Sequence, residues 1–236
     1  LGWGKRVSFS RTPDADRTGY LFVYDDPHIF SSRYQGRLEY SDNDDGKRHY
    51  LDVSYPFFSI DTPYSYGVTS YSDQRRESLY YRGDVVSEFE QKTLLNRAYF
   101  GHSSQLGNSW TQRIKLGIEN REETFRETPF TRFPIAEDRT LSYPYVSGQW
   151  FEDHYVKVRN FDSIYRTEDL NLGWNIHALL GYSSDDFSDD ASRTIYSLSL
   201  SKAHYYGDTQ LWRFKADLDG YWNEETDDVE NLFAST

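Results

Sequence analysis

Apolar and polar side chains alternate in three segments of the chain, residues 110–119, 170–182 and 212–222. In the first segment Leu116 belongs to the apolar row and Lys115 to the polar row. A repeat of two is typical of a β-strand, because successive side chains of a strand point to opposite faces. At helical spacing the same apolar residues would be scattered around a cylinder. The pattern therefore predicts three long strands, each with one apolar and one polar face.

Weaker alternation marks further strands, and turn-forming residues separate them. These segments are approximately residues 3–10, 19–26, 33–41, 48–58, 64–73, 79–100, 140–159 and 193–206. Residues 120–137, which contain Pro129 and Pro134, are predicted to form a long loop. We find no helical pattern, exact repeat or flexible linker, so residues 1–236 are predicted to be a single all-β domain of antiparallel strands.

Strand length and the chemistry of the polar faces indicate the kind of sheet. Several strands run 11–13 residues, whereas strands of globular proteins average about 5–6 and a tilted strand crosses a bilayer in about 9–11. Their polar faces carry Arg, Lys, Asp, Asn, Gly and His, which is typical of the inside of a membrane barrel. We therefore predict an antiparallel transmembrane β-barrel of the outer-membrane type, with these lipid-facing side chains: Trp174, Ile176, Leu180, Trp212, Phe214 and Leu218. The alternative is a large soluble β-sandwich in which aromatic residues form the core.

Composition and charge narrow the class of protein further. The chain carries 38 acidic against 26 basic residues, a net charge of −12, and a nucleic-acid partner is excluded because it requires a basic face. Cysteine is absent, which excludes a disulfide scaffold, a thiolate metal site and a cysteine nucleophile. The aromatic content of 18% is too high for a disordered chain. Since neither an initiator methionine nor a signal segment is present, we expect the barrel to be incomplete at one or both ends.

The sequence offers little covalent chemistry. Its six histidines are scattered without the spacing of a zinc site, and no Gly-x-Ser-x-Gly motif occurs. Residues 41–46 match part of a calcium loop, but the Asp-Gly turn of a hairpin explains them better. We therefore predict a protein that is not an enzyme and that has no cofactor and no metal site.

Two stretches in the first quarter of the chain resemble a known family. Residues 24–30, Tyr-Asp-Asp-Pro-His-Ile-Phe, and residues 33–40, Arg-Tyr-Gln-Gly-Arg-Leu-Glu-Tyr, are similar to the early strand–turn–strand of the bacterial surface-antigen barrels, the BamA- and TamA-like family. Residues 50–58, Tyr-Leu-Asp-Val-Ser-Tyr-Pro-Phe-Phe, are similar to the hairpin that follows. The chain departs from the family pattern at Ser31-Ser32, where glycine is usual, and at Tyr55-Pro56, where an aspartate is missing.

A third match concerns the interior of the barrel. The string Val-Arg-Asn-Phe at 158–161 resembles the family's Val-Arg-Gly-Phe/Tyr motif, at the tip of a loop that folds back into the barrel. The resemblance implies that Arg159 and Phe161 lie on an inward-folded segment and that Arg159 pairs with Asp217 or Asp219. Both acids have inward parity on their strand, and a guanidinium inside a barrel requires such a partner. The alternative is that Arg159 is an ordinary charge of the lumen or of a strand end.

The resemblance also implies a location and a function. The protein would lie in the bacterial outer membrane, surrounded by membrane lipids and lipopolysaccharide. It would act in the insertion or transport of proteins or lipids, with client outer-membrane proteins or accessory periplasmic proteins as further partners. Two alternatives stay open: a passive porin-like channel, and a soluble or surface β-domain that binds a polymer such as a glycan through its Tyr and Trp rows.

Overall fold

A computed structural model describes residues 4–13, 18–159, 165–186, 188, 191–206 and 210–235. These residues form fourteen β-strands and a single 3-10 turn at Ile29–Ser31. The strands are β1 (Arg6–Pro13), β2 (Thr18–Asp26), β3 (Gln35–Asn43), β4 (Gly46–Tyr55), β5 (Tyr64–Tyr81), β6 (Asp84–Leu106), β7 (Trp110–Glu127), β8 (Arg139–Glu152), β9 (Tyr155–Arg159), β10 (Thr167–Asn171), β11 (Trp174–Ser183), β12 (Arg193–Tyr206), β13 (Gln210–Asn223) and β14 (Asp228–Ser235). The described ranges contain no helix that is long and apolar enough to cross a membrane.

Twelve of the strands form one continuous antiparallel sheet. Its order is β1 to β8 followed by β11 to β14, and β9 and β10 form a separate hairpin. The all-β, antiparallel prediction is therefore confirmed. The sheet is open, because β1 and β14 are its two edges and do not pair with each other within the described residues.

The turn between β5 and β6 divides a segment that the sequence predicts as one strand, residues 79–100. Arg82 and Gly83 both adopt positive φ angles, 55° and 93°, as the central residues of the tightest antiparallel hairpins do. Tyr81 and Asp84 close this hairpin as register partners. The prediction of a continuous strand is wrong there. Arg82 adopts a left-handed backbone conformation, which is uncommon for residues other than glycine, so its residue type gives no turn signal.

Strand β7 extends into the segment that the sequence predicts as a loop, residues 120–137. It continues to Glu127, which is the register partner of Phe89 on β6, and irregular backbone begins only after it. The ladder needs only main-chain N–H and C=O groups, so a strand persists where apolar alternation has ended. The alternation in residues 170–182 is likewise interrupted, because Leu172 and Gly173 separate the β9–β10 hairpin from β11.

The sheet curls strongly toward one of its faces. The Arg121 Nη1 atom on β7 lies 3.4 Å from the Tyr221 hydroxyl on β13, and Arg139 on β8 lies 3.7 Å from Glu230 on β14. Each pair is four strand spacings apart in the sheet order, which is about 19 Å in a flat sheet. Contacts this short define a concave face, on which these four side chains meet, and an opposite outer face.

The concave face carries the hydrophobic cluster of the fold. Leu141, Tyr143, Tyr145 and Ile195 are buried there, and Leu179 packs against them. Leu179 is the one apolar residue on the otherwise polar row of residues 170–182, and this packing explains the exception.

Two glycines make room for the tyrosines of this cluster. A Cβ atom at Gly117 would lie 2.5 Å from the Tyr145 ring, and one at Gly181 would lie 2.6 Å from the Tyr143 ring. Each ring therefore lies across the neighbouring strand at a position that only glycine leaves open.

We expect Leu141→Ala to lower the free energy of unfolding by about 2–5 kcal/mol, because a fully packed leucine leaves a cavity. Leu141 is only 1% exposed. The control is Leu116→Ala on the outer face, where 62% of the residue is exposed and we expect a cost below about 1 kcal/mol. Urea unfolding of the refolded chain, followed by tryptophan fluorescence, measures both. Equal costs would show that the concave cluster is not the packed core.

Candidate functional site

The outer face of the sheet is an exposed apolar surface. Leu116 and Ile118 on β7 are 62% and 64% exposed, and Phe214 on β13 is 51% exposed. The register places all six side chains predicted to face lipid on this outer face: Trp174, Ile176, Leu180, Trp212, Phe214 and Leu218. The alternation in the sequence therefore assigned these residues to one common face correctly, and their contact with lipid stays a prediction.

A row of polar side chains bounds this apolar surface on four neighbouring strands. Ser70, Asn96, Asn120 and Ser142 are successive register partners across β5 to β8. The Ser70 hydroxyl donates to the Asn96 side-chain oxygen at 2.9 Å, and the Ser142 hydroxyl donates to that of Asn120 at 2.5 Å. Beyond the row β5, β6 and β7 continue with mainly polar residues, so the outer face changes from apolar to polar along one line.

Aromatic side chains bound the apolar surface at the opposite strand ends. The Tyr55 and Tyr66 rings stack with their centroids 5.4 Å apart, and the Tyr34 and Tyr66 hydroxyls lie 2.7 Å apart. Farther along the sheet the Trp150 Nε1 atom donates to the Gln112 side chain at 3.1 Å. Tyr34, Tyr66 and Trp150 each pair a large apolar ring with a hydrogen-bonded polar group, which is typical of residues at a membrane–water interface.

The concave face is charged, and its most buried carboxylate is Glu119. Only 1% of that side chain is exposed, and it forms ion pairs with Arg97 on β6 and with Arg121 on its own strand. The Arg97 Nε atom donates to Glu119 Oε2 at 2.7 Å, and Tyr143 is the register partner of Glu119 on β8. A buried charge is tolerated when several donors replace its water.

A second group of charges links four strands near the β14 edge. The buried Arg193 donates from Nε to Glu230 Oε2 at 2.9 Å, and the Asn223 amide donates to Glu230 Oε1 at 2.8 Å. Arg139 lies 3.7 Å from the same carboxylate. Glu230 therefore connects β8, β12 and β13 to β14 across the concave face.

The contact that the third motif predicts is not formed between the described residues. Arg159 ends β9 in the separate hairpin, with an exposed side chain. Asp217 instead forms an ion pair with Lys215 at 2.8 Å and accepts a hydrogen bond from the Ser199 hydroxyl at 2.7 Å. Asp219 is exposed, and Phe161 lies outside the described residues.

Sequence reasoning did not single out Glu119, Arg97 or Tyr143. In the alternation Glu119 is one of many charges on polar rows. Glu119 differs from those charges through the register of the strands, which places it opposite both Arg97 on β6 and Tyr143 on β8. In the part of the chain that the structure describes, no group of three or more His, Cys, Asp or Glu side chains is arranged to hold a metal ion.

We expect Glu119→Gln to lower the free energy of unfolding by about 1–3 kcal/mol, because it leaves two partly buried guanidiniums without their carboxylate. The matched control is Glu127→Gln at the exposed end of the same strand, for which we expect a change within about 0.5 kcal/mol. Denaturant unfolding of both variants measures the difference. If Glu119→Gln proved as mild as its control, the ion pairs would not stabilise the concave face.

No protein-family model matches the chain, and no curated protein matches it. The resemblance to the surface-antigen barrels therefore depends on the short motifs alone, and a function has to be inferred from the two faces of the sheet.

Proposed function

We propose that the chain forms the wall of a β-barrel in the bacterial outer membrane, with its outer face in lipid and its concave face lining a polar interior. The observation that carries the proposal is the inversion of the two faces. Leu116, Ile118 and Phe214 are exposed on the outer face, whereas Glu119 and Arg193 are buried on the concave face. In water a sheet is more stable with the opposite arrangement, but a bilayer favours an apolar outside.

The height of the apolar surface supports the same proposal. On β13 it runs from Trp212 to Trp222, and the ten residue-to-residue steps between them, at about 3.4 Å each, span about 34 Å. At the strand tilt of about 35–45° in membrane barrels, this corresponds to about 24–28 Å, close to the apolar band of about 25 Å in such barrels.

The open edges of the sheet set a requirement for this proposal. In lipid every main-chain N–H and C=O group needs a partner, and closure of the sheet provides it. Strands β1 and β14 must therefore pair with each other or with strands outside the described residues.

Within this proposal the protein acts without covalent catalysis, in passage or insertion across the outer membrane. Membrane lipids and lipopolysaccharide would contact the outer face. The charged concave face favours passive passage of polar solutes. The motifs at 24–30 and 50–58 favour the second candidate, insertion or translocation of proteins or lipids with client or periplasmic partner proteins.

We expect Ile176→Arg to weaken insertion by up to about 2 kcal/mol, since it would place a charge in the apolar surface. Such a charge costs about 2–4 kcal/mol at the membrane midplane and less toward the interface, where its register partner Trp150 lies. The matched control is Asn175→Arg, one residue earlier on the same strand and on the concave face. Folding titrations from urea into phospholipid vesicles compare the two variants. A chain that folds without detergent or vesicles, and that tolerates both substitutions equally, would contradict the membrane barrel and favour the soluble β-domain.

We expect the chain inserted in planar bilayers to produce stepwise ionic conductance if its concave face lines a passage. Such conductance, without any partner protein, would favour the passive channel. Correct insertion without conductance would contradict passive passage and leave the insertion or translocation role as the candidate.

A further inference from the structure

Two basic side chains on the concave face differ from the other charges there. Arg113 and Lys115 follow each other on the concave side of β7, and neither forms an ion pair with a carboxylate of the described residues. By contrast, Arg48, Arg97, Arg121, Arg193 and Lys215 each pair with an acid. In a chain with a net charge of −12, two neighbouring cations without carboxylates form a distinct positive patch.

Aromatic rings hold these two cations in place without neutralising them. The Arg113 guanidinium carbon lies 4.8 Å from the centroids of both Phe57 and Phe151, and Arg113 Nη2 donates to the Ser59 carbonyl at 3.1 Å. The Lys115 ammonium lies 4.4 Å from the centre of the Tyr99 ring. Cation–π contacts of this kind orient a cation but leave its positive charge available to an anion.

The neighbours of Lys115 on the adjacent strands are small and uncharged. Its register partners are Gly101 on β6 and Ser147 on β8. A Cβ atom at Gly101 would lie 2.9 Å from Lys115 Cγ and 3.1 Å from the Phe57 ring. The glycine therefore makes the room in which Lys115 and Phe57 lie side by side.

Lys115 opens into a recess of the concave face with a volume of about 480 Å³, whose wall also includes His177 and Ser147. Asp52 is the carboxylate of this wall, and its two oxygens accept hydrogen bonds from the hydroxyls of Thr69 at 2.7 Å and Ser54 at 3.3 Å. Asp52 is thus satisfied by its own neighbours on the far side of the recess. A ligand at Lys115 would meet an ammonium group, an imidazole ring and a hydroxyl group.

We propose that Arg113 and Lys115 form a binding site for a small solute anion of the phosphate type. Two adjacent cations match the two charges of such an anion, and the Arg113 guanidinium offers its remaining N–H groups in a fixed plane. Rings of Lys and Arg select anions in membrane pores. The inference rests on the proposed function because the concave face must be reachable by solute.

The test is isothermal titration of inorganic phosphate into the chain refolded in a zwitterionic detergent at low ionic strength. We expect saturable binding to the parent chain. The double variant Arg113→Gln/Lys115→Gln should bind phosphate at least about tenfold more weakly than the parent chain, because it loses charge-assisted hydrogen bonds. The matched control is Lys47→Gln/Arg126→Gln, which removes the same charge from two exposed positions that pair with Asp42 and Asp138. It should bind phosphate as the parent does.

A second variant covers the case in which the double variant does not fold. Ser147→Asp places a carboxylate directly opposite Lys115 in the register and should weaken phosphate binding to a similar extent. The absence of saturable binding to the parent, or parent-like binding by either variant once it is folded, overturns the proposal. The titration does not require a conducting bilayer. Phosphate binding by a chain that conducts no ions would support this site and contradict passive passage. Conductance without phosphate binding would support passive passage and overturn this site.

Discussion

A continuous ladder of main-chain hydrogen bonds, running from β1 to β14, constrains every other feature of this protein. Each strand pairs antiparallel with its neighbour, and side chains alternate between the two faces along the whole ladder. The consequence is visible on β7, where Ile118 lies exposed on the outer face and Glu119 lies buried on the concave face. A slip of β7 by one residue would exchange the two and turn the apolar row of that strand inward. The register of the ladder is therefore what separates the apolar surface from the charged one.

Because the sheet curls, charged side chains from distant strands meet on its concave face. Glu119 forms ion pairs with Arg97 and Arg121, and Glu230 forms ion pairs with Arg139 and Arg193. Paired charges lose much less on burial than isolated ones, so these carboxylates can occupy a crowded interior. The hydrophobic cluster of Leu141, Tyr143, Tyr145 and Ile195 lies on the same concave face.

The same two faces explain why the function proposed here is tied to a membrane and not to a reaction. An exposed apolar surface that ends along a polar row on one side and an aromatic row on the other matches the layers of a bilayer. The concave face offers charged side chains and recesses. Arg113 and Lys115 add a local excess of positive charge to the concave face of an acidic protein.

The sequence alone determined the all-β class, the antiparallel strands and the face of each long strand, because a period of two is a local property. It also placed Trp174, Ile176 and Phe214 on one face before their strands were assembled. It did not predict the hairpin at Arg82 or the continuation of β7 to Glu127, since a ladder joins main-chain groups and leaves no apolar signature at a polar strand end. The contacts of the concave face were decided only by tertiary structure. They join residues up to 100 positions apart, and register and curvature, which no single segment encodes, bring those residues together.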